Sequence, residues 1–209
     1  MTTYHKIQSL FKRDPATKNK RFLMWEFSCP EFEYLQNTDW VGTEKIDGTN
    51  IRIYGKNRAG FIAGRTDNAQ IHSGLYAHLE TVRDKLMSSD LPEDIVLYGE
   101  GYGAKIQSGD HYIPDGQSFA LFDVMINGNY QPRESVEDIA GKLSIPVAPI
   151  INAMSLAEWV NAIESGHYRD SLLHKFARNE GVVLRPSTEL QTRTGDRVIT
   201  KLKFKDFGL

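Results

Sequence analysis

Apolar residues along this chain fall into two periods. Ile51-Arg52-Ile53-Tyr54 alternates as a half-buried strand does, and Phe61-Ile62-Ala63, Ile95-Val96-Leu97-Tyr98, Phe119-Ala120-Leu121-Phe122, Val182-Val183-Leu184 and Val198-Ile199 are apolar runs of strand length. Leu75, Leu79, Val82 and Leu86 are instead spaced by four, three and four, which places them on one face of a helix. Ser135 with Asp138 makes a capping-box pattern ahead of Val136, Ile139 and Leu143. Ser155 with Glu158 makes another ahead of Trp159, Val160 and Ile163, with Gly166 as the stop. Leu172, Leu173 and Phe176 suggest a further helix ending near Gly181. Several strands mixed with irregularly placed helices predict an α+β fold with largely antiparallel sheets. Residues 1–21 read as a polar, basic arm; its cluster of Lys18, Lys20 and Arg21 is either solvated or a contact to a nucleic-acid backbone.

Composition narrows the class without naming a chemistry. A chain of 209 residues makes one medium domain or two small ones, with room for a sizeable core. The formal net charge is −2, so any phosphate-binding surface must be a local patch. Cys29 is the only cysteine, which excludes an internal disulfide and suits a reducing compartment. No run approaches the roughly 18–20 apolar residues needed to span a bilayer, no signal peptide is evident, and no membrane partner is expected. A cytoplasmic protein is the expectation. The histidines show no zinc-like spacing, no Ser-His-Asp set stands out, and His72, His111 and Trp25 read as structural.

The densest chemistry lies in Glu44-Lys45-Ile46-Asp47-Gly48-Thr49-Asn50. A lysine amine can attack phosphorus once deprotonated, an adjacent acid can hold its charge or a metal, and a glycine lets the backbone turn tightly. Taken alone, Lys45 could equally be a surface lysine paired with Glu44 or Asp47. Lys201, Lys203 and Lys205 alternate with Leu202, Phe204 and Asp206, so on a strand all three would share one face. Like charges there invite an anion such as a triphosphate, or belong to a solvated edge strand. Glu100, between Gly99 and Gly101, could accept from ribose hydroxyls; the GxGxG spacing is not that of a dinucleotide site. Phe122 is either a stacking ring or core, and Phe119 reads as core. Arg65 holds a ligand or pairs with Asp67 across a turn.

The pieces Glu44–Asn50, Gly64-Arg65-Thr66, Leu97–Gly101 with Phe119–Asp123, Glu180–Pro186 and Lys201–Phe204 follow in order over most of the chain. That order resembles the covalent nucleotidyltransferase superfamily of ATP-dependent ligases and capping enzymes, and within it the RNA ligase 2-like family. The resemblance implies a nucleotidyltransferase (ATP-grasp-like) fold, α+β, with antiparallel sheets flanking a nucleotide pocket. It implies Lys45 as the nucleophile, with Lys201 and Lys203 on the transferred phosphate. Glu44, Asn50, Arg65, Glu100 and Phe122 would bind the nucleotide, Phe122 by stacking on the purine. Glu180 and Asp47 would hold Mg²⁺ or Mn²⁺, and Lys205 lies outside the usual pair. ATP is the implied AMP donor.

The implied reaction has three steps: Lys45 takes AMP from ATP, AMP passes to a 5′-phosphate, and a 3′-hydroxyl attacks to seal the strand. RNA ends or nicks are expected rather than DNA because Thr49-Asn50 ends the first motif where DNA ligases usually carry arginine. The sequence given ends at Leu209, soon after Lys203. The expectation is one adenylyltransferase domain over residues 1–209, without an appended OB or helical C-terminal domain, whose grip on nucleic acid an accessory protein or a second copy would replace. The alternatives are a DNA ligase or capping-type enzyme, and a non-catalytic RNA-binding module of the same fold.

Overall fold

The computed structural model describes residues 3–56 and 59–209. They form two compact units, each built on its own five-stranded sheet. The chain passes from one unit to the other between Tyr4 and His5, between Lys45 and Ile46, and between Ala148 and Pro149.

The unit holding residues 5–45 and 149–209 contains β1 (Gln8–Ser9), β2 (Phe11–Arg13), β3 (Phe22–Phe27), α1 (Pro30–Tyr34) and β4 (Trp40–Lys45). The other unit supplies β5 (Thr49–Lys56), β6 (Ala59–Gly64), α2 (Ser73–Ser88), β7 (Ile95–Gly103), β8 (Gln117–Ile126), β9 (Asn129–Tyr130) and α3 (Arg133–Leu143). The chain then returns to the first unit for β10 (Ile150–Met154), α4 (Leu156–Glu164), β11 (Gly181–Pro186) and β12 (Thr200–Lys203). The two sheet orders are β1-β12-β11-β4-β10 and β6-β5-β7-β8-β9; every pairing is antiparallel except the parallel pair β1–β12.

In the β5–β9 unit, α2 lays Leu75, Leu79, Val82 and Leu86 into a core with Ile51, Ile53, Leu97 and Phe119, as the helical spacing predicts. The alternation over residues 51–54 predicts an outward-facing Arg52, but Arg52 is fully buried. Its guanidinium donates to the Gly64 carbonyl at 2.9 Å and to Asp67 Oδ1 at 2.7 Å, which compensates the burial. Helix α3 starts at Arg133 with Pro132 as its cap, so Ser135 and Asp138 lie inside it, and Asp138 pairs with Lys142 at 3.0 Å.

In the β1–β12 unit, Trp40, Trp159, Val182, Leu184 and Leu202 close a second core. The capping box at α4 is present: Ser155 Oγ accepts from the Glu158 amide at 3.4 Å, and Glu158 accepts from the Ser155 amide at 2.9 Å. Val198 and Ile199 are buried just ahead of β12 rather than within a strand. The N-terminal segment is not a solvated arm: Leu10 and Phe11 are buried, and Gln8–Ser9 pairs with Thr200–Lys201. No helix forms over residues 172–176. Leu172 and Phe176 are exposed, and Phe176 has a φ of +70°. No described helix is long and apolar enough to cross a membrane.

Candidate functional site

Lys45 is the last residue of β4, and Lys203 is the last of β12. Strand β11 lies between those two strands, and its first residue, Gly181, is the register partner of both lysines. Because Gly181 carries no side chain, the flanking lysines converge on the residue before it. Lys45 Nζ donates to Glu180 Oε2 and Lys203 Nζ donates to Oε1. The backbone fixes Glu180 as well: its N–H donates to the Lys45 carbonyl at 2.9 Å, and its carbonyl accepts from Phe204 N–H at 3.2 Å. Burial pushes the Glu180 pKa up, but the charges and hydrogen bonds of Lys45 and Lys203 more than reverse this, and the net shift is downward.

Lys201 is two residues before Lys203 on β12, opposite Val183, and therefore shares its face. Lys205 does not continue that face. The strand gives way to a 3₁₀ turn over Phe204–Phe207, and Lys205 is largely exposed with its Nζ 3.9 Å from Glu180 Oε1. Glu44 points away from Lys45, as neighbours on a strand do. It is buried, and its carboxylate accepts from Ser171 Oγ at 2.6 Å and from the Leu172 and Leu173 amides at 2.8 and 3.1 Å. Those bonds tie residues 171–173, which form an irregular loop, to the strand that carries Glu44.

The remaining sequence-derived candidates belong to the other unit. Asn50 on β5 is the register partner of Glu100 on β7, and Asn50 Oδ1 is buried with no hydrogen-bond partner. An orphaned buried acceptor is costly to keep unless a ligand supplies its donor. Gly48 needs its missing Cβ for close approach: that atom would lie 2.3 Å from the Gly101 carbonyl oxygen and 2.9 Å from Glu100 Cγ. Phe122 sits where β8 bulges. Tyr98 pairs with Asp123 and Gly99 with Leu121, leaving Phe122 as the extra residue, half-buried with its ring 5.0 Å from that of Tyr4. Arg65 is exposed and pairs with nothing among the described residues; the turn partner it might have claimed, Asp67, is taken by Arg52.

Asp47 is half-buried, and its carboxylate bonds to nothing among the described residues. No group of three or more His, Cys, Asp or Glu residues that could hold a metal ion occurs among the described residues. A hard cation that retains waters and draws ligands from a phosphate needs only one or two protein carboxylates; the Asp47 carboxylate is open to such an ion, whereas Glu180 would have to release Lys45 or Lys203 to serve.

The sequence reads Trp25 as structural, and its setting is unusual. The ring is half exposed on β3, and the residue has a φ of +67°, an outlier for a bulky side chain. Asn50 is a candidate from the sequence, but its place opposite Glu100 and its open oxygen come only from the strand register and the packing.

The family described as RNA ligase matches residues 38–203. Among solved structures, Naegleria gruberi RNA ligase with PPi superimposes with a TM-score of 0.66 at 17% identity, over 97% of this chain and 56% of that one. A variant of the same ligase with ATP and Mn gives 0.68 at 17% identity over 97% and 56%, and an apo variant gives 0.64 at 18% over 99% and 58%. No curated protein matches the sequence. The chain thus shares the fold of these ligases and spans 56 to 58% of their length.

Proposed function

This chain belongs to the RNA ligase family and has the α+β nucleotidyltransferase fold with antiparallel sheets, and from that premise we propose that it is an ATP-dependent ligase that seals RNA ends or nicks. The observation that carries the reading is the convergence of Lys45 and Lys203, 135 and 23 positions from Glu180, on that one carboxylate. The Naegleria ligase structures with ATP or AMP and Mn support nucleotide and divalent-metal use.

Lys45 Nζ, once deprotonated, attacks the α-phosphorus of ATP. A P–N bond forms, the bond to the bridging oxygen breaks, and pyrophosphate leaves. Glu180 is a weak proton store because its pKa is held low, so it orients the amine rather than titrating with it. Lys201 and Lys203 balance charge on the transferred phosphate, since phosphoryl transfer depends mainly on positioning and charge neutralisation. Glu100 and the open oxygen of Asn50 hold the nucleoside's polar edge, Phe122 stacks on its base, and Arg65 contacts the nucleotide. Glu44 serves from behind, fixing the 171–173 loop against the strand that ends in Lys45. Asp47 and Glu180 would hold the metal ion, which neutralises the triphosphate when bound. The AMP then passes to an RNA 5′-phosphate, and a 3′-hydroxyl displaces it.

Intact mass after incubation with each NTP and Mg²⁺ or Mn²⁺ tests the first step. The expected result is a gain of one AMP with ATP alone, absent in Lys45→Ala. A GMP adduct would move the assignment to capping, and no adduct under any condition would overturn it. Sealing assays with nicked RNA and nicked DNA then decide the substrate.

A further inference from the structure

The N-terminal segment of the β1–β12 unit lines an open groove of about 740 Å³. Seven of its fourteen lining residues are Lys or Arg and one, Asp206, is acidic. Asp206 is already claimed by Arg13, whose Nη1 is 2.8 Å from Oδ1. The groove is therefore strongly cationic in a chain whose formal net charge is −2. Lys6, Lys12 and Lys20 enter from the N-terminal side and are exposed; Lys12 makes one weak solvent-exposed pair with Glu26 at 3.6 Å. Lys201 and Lys203 line it too, so it runs up to the lysine whose partner, Glu180, also binds Lys45.

An exposed ring packs on one of the groove's lining residues, Phe11. Strand β2 pairs Phe11 with Phe27 and Arg13 with Phe22, so β3 bulges between those pairs. The bulge displays Met24 and Trp25 to solvent. Trp25 packs its ring 5.5 Å from Phe11, itself a groove residue. Trp25 is held at a positive φ with about half of its surface left to solvent.

The geometry points to this groove as the track for a single RNA strand: Lys6, Lys12 and Lys20 hold backbone phosphates, Trp25 stacks on a base, and the strand is led toward Lys203. Cationic grooves with aromatic platforms bind single strands without reading sequence, because every base has a stacking face. The inference rests on the ligase reading for the identity of the strand as RNA, and on the groove alone for its path.

The test is anisotropy of a short fluorescent oligoribonucleotide across a salt series, for wild type, the triple variant Lys6→Ala/Lys12→Ala/Lys20→Ala, and Trp25→Ala. Each released phosphate contact lowers the slope of log K against log salt by about 0.7 for a single strand, so the triple variant should lose about 2 from that slope and at least tenfold in affinity. Trp25→Ala should lose roughly tenfold with the slope unchanged. All three proteins should form the AMP adduct at the same rate and keep the same denaturation midpoint. Affinities within twofold of wild type, or no RNA binding by wild type, would overturn the proposal, as would a raised KM for ATP in the triple variant, which would give the groove to the triphosphate tail. An unaffected Trp25→Ala would remove the stacking contact. A wild type that binds RNA but forms no adduct would defeat the ligase reading and leave the groove standing.

Discussion

Glu180 is bound to Lys45 twice, through its own N–H to the Lys45 carbonyl at 2.9 Å and through its carboxylate to the Lys45 ammonium. The backbone link sets the position and the side-chain link sets the direction of the amine. Glu180→Gln keeps the size and the backbone bond but removes the charge that holds Lys45 and Lys203. The AMP adduct should form about 100-fold more slowly, the usual cost of misplacing a reacting group by an ångström or so. A rate within threefold of wild type in single-turnover labelling would show that the carboxylate does not orient the nucleophile.

The same carboxylate sets an acid limb. Its folded-state pKa lies below the ordinary 4.5, so its contribution to stability is present above that value and is lost as pH falls through the lowered one. Urea midpoints of wild type and Glu180→Gln, followed from neutral pH into the acid range, should converge at the acid end. A gap that stays constant would contradict the assignment.

At the alkaline end Tyr98 contributes, because burial first and then the nearby Tyr130 push its pKa up to about 12. The folded state holds that proton more tightly than the unfolded chain, so the contribution is intact below the ordinary value of 10.0 and is lost as pH rises from there toward about 12. Absorbance titration of tyrosine should show one late-ionising phenol that disappears in Tyr98→Phe.

Asn50→Ala separates stability from function. Removing a buried acceptor that has no partner should leave the melting temperature unchanged or slightly higher. Adduct formation should fall at the same time, with KM for ATP raised. A protein that loses stability and keeps its KM would mean that Asn50 is structural.

Gly42→Ala should destabilise without touching chemistry. The new methyl would stand 2.2 Å from Trp159 Cζ2, and the Trp159 indole is held by its N–H donating to the Trp40 carbonyl at 2.9 Å. Overpacking of this kind costs about 1–3 kcal/mol, measurable as a shifted denaturant midpoint.

What the sequence made legible follows from range. The strands at 95–98, 119–122 and 182–184 and the faces of α2 and α4 rest on local periodicity and capping, and they are found where that periodicity places them. The long-range exceptions have identifiable causes. Residues 172–176 have helix-like spacing but form a loop, and its Leu172 and Leu173 amides bond to Glu44, far away in sequence. Arg52 follows a solvent-facing alternation, yet Asp67 and the Gly64 carbonyl make its burial tolerable. Phe122 falls at a register shift in β8, which no window along a single strand contains. Within the site, the spacing of Lys45, Asp47 and Gly48 is local and visible; the sharing of one carboxylate by Lys45 and Lys203 exists only in the sheet.

The sheet order β1-β12-β11-β4-β10 joins residues 8–9 to residues 200–201. Such distant pairings form late, because loop closure must precede the contacts that reward it. During synthesis Lys45 therefore emerges long before Glu180 and Lys203, and a nascent chain on the ribosome carries the lysine without the groups that aim it. A product cut short before residue 180 would carry Lys45 without the carboxylate that holds its amine, so the arrangement around that lysine exists only once both later strands have been made.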